Sequence, residues 1–239
     1  TSDTTVTWDG GKVRGRRVLR LGAIELSSTP VRPDPVRARH VALEAVRSGG
    51  LDVASLTKNG ESLRRRLALA HRVFGDPWPD VSDEALLARA EEWLDLDALA
   101  AGRGSDATSG LRGLLGWRES ARLDEVVPET ITVPSGSRIR IDYPEPGSDT
   151  SPVLAVKLQE CFGWADGPTV CDGRVRVVLH LLSPARRPLA VTDDLASFWA
   201  SVYPAVRVEN RGRYSKHPWP EDPMTATPTK RTNRALRGN

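Results

Sequence analysis

Residues 183–223 read SPARRPLAVTDDLASFWASVYPAVRVENRGRYSKHPWPEDP, an apolar helical stripe that runs directly into a basic, aromatic and proline-rich tail. Asp193 or Asp194 can cap a helix, after which Leu195, Phe198, Trp199, Val202, Tyr203 and Val206 recur at spacings of three and four. Pro204 lacks an amide proton and crowds the preceding turn, so the sequence predicts a kink there or a second helix beginning at Pro204. The helical pattern fades at Arg211 and Gly212. Beyond it, Arg213, Tyr214, Lys216, His217 and Trp219 lie among Pro218, Pro220 and Pro223, which favour an extended course.

Working outward from this stretch, residues 174–182 read as a strand with Val175, Val177, Leu179 and Leu181 on one side. Residues 153–162 read as a short helix. Residues 131–133 and 139–143 alternate apolar with polar side chains around Pro134-Ser135-Gly136-Ser137, which predicts a hairpin carrying Arg138 and Arg140 on one face. The order strand, strand, helix, strand, helix implies a small mixed sheet covered by helices, an α+β class.

The N-terminal half differs. Residues 6–8 and 13–26 flank Asp9-Gly10-Gly11, a turn that takes positive backbone angles at little steric cost, so a hairpin is expected and SSTPVRPDP after it reads as a linker. Asp34 and Pro35 make an N-cap and first-turn pair for a helix ending at Ser48-Gly49-Gly50. In a second helix, 61–74, Leu63, Leu67, Ala70 and Phe74 share one face, and Arg64-Arg65-Arg66 reads as its solvated side in preference to a phosphate contact. Ser82 caps a third over 83–99, residues 102–105 form a loop, and 111–123 a short helix weakened by Gly113 and Gly116. The expected divisions are 1–30, hairpin and linker; 31–125, mainly helical; 126–206, a small α+β domain; and 207–239, the tail.

The chain of 239 residues carries a net charge of +3, unevenly placed. After Val206 there are eight Lys or Arg against three acids, whereas residues 1–206 hold 26 against 28. The basic character thus belongs to the tail. Cys161 and Cys171 form no C-x-x-C motif, so neither a disulfide framework nor a zinc ribbon is indicated, and a reducing cytoplasm fits. No apolar run approaches the roughly 20 residues needed to span a bilayer, and no membrane partner is expected.

Catalytic patterns are missing. A nucleotide-hydrolysing site needs a glycine loop, a phosphate-neutralising lysine and a magnesium-holding acid. Gly10-Gly11-Lys12 lacks the spacing and the following hydroxyl, and Asp83-Glu84-Ala85-Leu86 opens an amphipathic helix. His40, His71, His180 and His217 lack a second ligand at metal-site spacing. Cys161 with His180 could imitate a nucleophile and base, but Cys161 falls on an apolar stripe, which favours a buried thiol. Nucleic-acid binding has sequence support, because phosphates need cations in a row and single-stranded bases stack on aromatic faces. Arg211, Arg213, Lys216 and His217 interleave with Tyr214 and Trp219, and Lys230, Arg231, Arg234 and Arg237 extend the run. Packing of Tyr214 and Trp219 against the domain is the favoured role for the aromatics. Arg138, Arg140, Arg186 and Arg187 are weaker candidates for phosphate contact.

The segments RGRYSKHPWPEDP, LLSPARRPLAVTDDLASFW and YPAVR, with RLGAIELSSTPV, WPDVSDEALLARAEEWL, ITVPSGSRIRIDY and PVLAVKLQECFGW upstream, resemble in order the C-terminal region of HrpB-type, DEAH-box-related ATP-dependent RNA helicases of bacteria. The resemblance covers nearly all of the chain from Trp8 onward, but nothing here corresponds to that family's two RecA-like motor lobes. It implies an accessory region that guides RNA or another single-stranded nucleic acid, recruits a partner, or braces the motor lobes. No cofactor is implied for this chain; ATP and magnesium belong to the motor lobes. The alternative is a protein-interaction scaffold without RNA affinity.

Overall fold

The computed structural model describes residues 2–104 and 107–237, without the side chains of residues 236 and 237. The chain divides into two compact units, Thr1–Ala121 and Arg122–Asn239.

The first unit opens with an antiparallel sheet in the order β1 (Ser2–Asp9), β2 (Lys12–Leu21), β3 (Ile24–Val31). The Gly10 and Gly11 turn has φ of 58° and 77°, as a two-residue hairpin requires. The expected hairpin is in fact a three-stranded meander. The apolar run 13–26 doubles back at Gly22, where φ is +60°, and β3 pairs along the free edge of β2 through Ser27, Ser28 and Thr29. Those residues are therefore strand and not linker, since pairing satisfies backbone groups whatever the polarity of the side chains.

Helix α1 (Pro35–Gly49) starts where the sequence places it, with the Asp34 carboxylate accepting from the Arg37 amide at 3.0 Å. Helix α2 (Lys58–Phe74) begins one turn earlier than its apolar pattern, because the Thr57 hydroxyl accepts from the Gly60 amide. Leu63, Leu67 and Ala70 are buried. Arg64 and Arg66 are buried too, which corrects their assignment to a solvated face. Arg64 gives Nε to the Val81 carbonyl at 2.9 Å and pairs with Asp83, so its charge is spent on holding the entry to the next helix. The predicted helix 83–99 is three short ones, α3 (Asp83–Ala88), α4 (Ala90–Trp93) and α5 (Leu96–Ala100). Leu94 turns extended and Asp95 caps α5 through the Ala98 amide, a local competitor to continued helix. The Trp93 indole then reaches back to the Leu86 carbonyl at 2.9 Å. Similarly, 111–123 splits at Leu114, Leu115 and Gly116 into α6 (Thr108–Gly113) and α7 (Trp117–Val126). Residues 103 and 104 of the expected 102–105 loop lie outside regular structure, and Ser105 lies outside the described residues.

The second unit, α+β, positions the candidate site. Strands β4 (Thr130–Thr132) and β5 (Arg138–Arg140) form the predicted hairpin. The chain leaving β5 is then stitched to the next strand, the Asp142 and Val153 amides each donating to the other's carbonyl at 2.8 Å. Residues 153–162 are β6 (Val153–Lys157) followed by one 3-10 turn, Leu158–Cys161, and not a helix. The burial of Leu154 and Val156 alternates with exposed Ala155, and β6 pairs in parallel with β9 (Val178–Leu182); a short apolar run does not reveal its period until a partner strand selects it. Between them, β7 (Thr169–Val170) and β8 (Val175–Arg176) make a small hairpin. The strand read over 174–182 breaks at Val177, leaving Val177, Leu179 and Leu181 fully buried. Strand β10 (Pro188–Thr192), absent from the sequence reading, returns antiparallel to β9, giving a mixed sheet in the order β10, β9, β6.

The decisive stretch folds as α8 (Leu195–Ser197), a wide π-type turn over Phe198–Val202, and α9 (Tyr203–Arg213). Asp194 supplies the cap through the Ser197 amide at 3.0 Å. Pro204 stands at the start of α9, where its missing donor costs nothing. Across this change of helical pitch Trp199 and Tyr203 pack on Phe162 and Phe198 packs on both of them, with ring centroids 5.0–6.5 Å apart and mostly edge-on.

Candidate nucleic-acid interface

The tail is fastened along its length, largely through backbone groups. Its carbonyls at Pro218, Trp219, Pro220 and Pro223 accept from Gln159 Nε2 at 3.5 Å, Arg207 Nε at 2.8 Å, the Tyr203 hydroxyl at 2.8 Å and the Gly163 amide at 3.0 Å. The Thr229 amide donates to the Gln159 carbonyl at 2.9 Å, and α10 (Asn233–Arg237) starts with Asn233 donating to the Lys216 carbonyl at 2.8 Å. An extended, proline-interrupted chain has no internal ladder, so this domain supplies the partners its carbonyls need.

Within this strap the side chains divide. Arg211 and Arg213 are exposed in the last turn of α9, where positive charge complements the helix dipole. The Arg213 guanidinium lies 5.7 Å from the Tyr214 ring centroid, and Tyr214 is half-buried. Lys216 is exposed. His217 is half-buried, and burial followed by the charge of Lys157 holds its imidazole below the usual pKa, which favours the neutral ring. Trp219 is half-buried, and its indole N–H donates to the Tyr214 carbonyl at 3.3 Å. Lys230, Arg231 and Arg234 are exposed; the Arg237 side chain lies outside the described residues.

Three of the four remaining candidates meet elsewhere in the unit. Arg138 and Arg140, on either side of Ile139 in β5, line a cavity of about 270 Å³ together with Ala155, Lys157, Glu160 and Arg186. Arg186 is carried there by the tight β9–β10 turn, in which its amide donates to the Ser183 carbonyl and its φ is +59°. Arg187 is exposed but does not line the cavity; its backbone closes the turn on Ser183. Arg138 also donates to Thr130 Oγ1 at 3.1 Å. Lys157 and Glu160 were not foreseen. No local signal marked them: VLAVK is short and apolar enough to be read as helix, and only its pairing with β9 makes Lys157 the end of a strand with Glu160 on the turn after it. Through Lys157, which also bears on His217, the cavity and the tail share a cation.

The catalytic look-alikes have local explanations. Gly10-Gly11-Lys12 is the β1–β2 turn, and Asp83-Glu84 is the first turn of α3. Among the described residues no group of three or more His, Cys, Asp or Glu is placed to hold a metal ion, and no helix is long and apolar enough to cross a membrane. Cys161 is fully buried, and desolvation pushes its thiol pKa up, away from the thiolate a nucleophile needs.

Residues 90–223 match the family model HrpB_C, described as ATP-dependent helicase C-terminal. The chain is 42% identical to the ATP-dependent RNA helicase HrpB of Escherichia coli K12 over 96% of its own length and 29% of that protein's. Two crystal structures of E. coli HrpB, titled as a DExH-box NTPase and as a DEAH/RHA helicase, superpose with TM-scores of 0.76 and 0.66 at 41% and 40% identity. They cover 97% and 92% of this chain, which spans 30% and 28% of theirs. On sequence and fold together, the chain belongs to the HrpB family of ATP-dependent helicases, as its C-terminal domain.

Proposed function

We propose that this domain guides single-stranded RNA for an ATP-dependent RNA helicase, with ATP and magnesium handled by motor lobes outside this chain, in the cytoplasm. The observation that carries the reading is the presentation of Arg211, Arg213 and Lys216 as exposed cations at the end of α9, on a tail whose backbone is held in place. A backbone already held in place spares the cost of ordering the chain when its cations meet phosphates, and the resulting affinity is steep in salt and poor in sequence preference. Titration of labelled single-stranded RNA at several salt concentrations tests this. Binding whose logarithm falls linearly with log salt is expected; no binding at low salt refutes it.

A second reading, docking of a protein partner, is favoured by one feature of the first unit. Leu21, Ile24 and Leu26 at the β2–β3 end of the sheet are 69%, 67% and 56% exposed. Absence of RNA affinity, with binding of the parent's motor lobes lost on Leu21→Ser and Ile24→Ser substitution, would establish it.

A further inference from the structure

The cavity beside β5 holds more than positive charge. Arg138, Arg140, Lys157 and Arg186 surround it, yet Glu160 also lines it, on the 3-10 turn after β6. Glu160 is only 6% exposed, and its Oε2 accepts from the Ser135 hydroxyl at 2.7 Å. A carboxylate offers about four acceptor positions, and Ser135 uses one. An acid nearly withdrawn from solvent, facing a cavity of cations, calls for a ligand that brings both an anion and a hydroxyl donor. Phosphate alone leaves Glu160 repelling it. An acidic peptide meets the same repulsion and brings no hydroxyl. A ribose-phosphate unit supplies both groups, the phosphodiester for the cations and the 2′-hydroxyl for the carboxylate, and the 2′-hydroxyl is the group by which a protein tells RNA from DNA.

We propose that this cavity is a ribonucleotide site: Arg138, Arg140, Lys157 and Arg186 hold a backbone phosphate, and Glu160 accepts the 2′-hydroxyl of the adjoining ribose, so that the domain prefers RNA to DNA. The proposal rests on the RNA-guiding reading above and adds discrimination to it. Lys157 lines this cavity, and its charge also acts on His217 in the tail.

The test compares fluorescence anisotropy of the 239-residue chain with an oligouridylate and with the matching oligodeoxyuridylate, which differ only at the 2′ position. The expected preference for the ribo strand is about tenfold, the worth of one hydrogen bond to a charged acceptor. Glu160→Ala should bring the two affinities together without weakening binding of the deoxy strand, since an acid near phosphates is removed. A merely structural role would lower both affinities together and overturn the proposal. Glu160→Gln, isosteric and still able to accept from Ser135, guards against misfolding; it should shrink the preference at an unchanged melting temperature, and full retention overturns the inference. Arg138→Ala with Arg186→Ala should weaken both strands. Equal wild-type affinities for ribo and deoxy strands refute the ribose site while leaving RNA guidance by the tail intact, whereas no affinity for either strand refutes both. Competition by polyglutamate as effective as by the ribo strand also refutes it.

Discussion

Trp219→Ala separates packing from base stacking in the tail. The indole is half-buried and its N–H reaches the Tyr214 carbonyl at a long 3.3 Å, while the residue's own carbonyl is held by Arg207 whatever the side chain. A fully buried Trp→Ala change costs about 3–5 kcal/mol, and for this incompletely covered indole a packing loss at or below the low end, about 2 kcal/mol or more, is expected. The weak hydrogen bond adds about 0.5 kcal/mol. For a unit the size of Arg122–Asn239, each kcal/mol lowers the melting temperature by about 4 °C, so a fall of about 10 °C is expected. Differential scanning calorimetry reads the second unit's transition, and RNA anisotropy is taken well below it. Affinity should be little changed, because the indole is engaged with its own domain. A melting temperature within about 2 °C of wild type, with RNA binding weakened by the 1–3 kcal/mol typical of a lost base stack, would refute the packing argument.

Gly110→Ala in α6 would set a Cβ 1.7 Å from the Trp93 carbonyl oxygen, which neither backbone can tolerate without moving, so a loss of about 3 kcal/mol or more is expected in urea unfolding. Gly113→Ala, with nothing within 4 Å of the added carbon, should instead stabilise by about 0.4–1 kcal/mol, and a similar loss at both positions would refute the steric account. Arg64→Ala leaves the Val81 carbonyl without its donor and should cost about 2–3 kcal/mol by the same measurement, far more than a solvated arginine would. His217, whose pKa is lowered in the folded state, makes the unfolded chain the better proton acceptor just below the ordinary histidine value. Stability should therefore be complete above about pH 6.5 and fall as pH drops through the folded pKa, and His217→Gln should remove that part of the slope in melts run across this range.

How much of this was legible in the sequence depended on whether the signal was local. Helix starts at Asp34 and Ser82, a cap at Asp193 or Asp194, the Asp9-Gly10-Gly11 turn, the hairpin under Arg138 and Arg140, and a kink or new helix at Pro204 are decided by a few neighbouring residues; the structure has the first two and both turns where the sequence puts them, takes Asp194 as the cap, and starts α9 at Tyr203, beside Pro204. The readings that failed needed a distant partner. VLAVK became a strand because β9 lies beside it in parallel, Ser27-Ser28-Thr29 became a strand because β2 offered an edge, and Arg64 was buried because Val81 and Asp83 could take its donors. The helix over 83–99 failed for the opposite reason: Asp95 offered a local cap that a count of apolar spacing ignores.

Charge followed the same rule, with consequences for function. The tail holds most of the net positive charge by count, yet Arg207 is committed to the Trp219 carbonyl and Glu221, so its guanidinium serves to anchor the strap. Residues 1–206 are slightly acidic by count, yet Arg138, Arg140, Lys157 and Arg186, spread over 49 positions, share one cavity. Phosphate responds to the field at a surface and not to the sum along a chain, because charges more than about 10 Å apart in 0.1 M salt are largely screened from one another. A cavity lined by four cationic side chains is therefore a candidate phosphate site within a near-neutral domain. The tail count alone would place every contact after Val206, and the folded unit extends the candidate path back to β5.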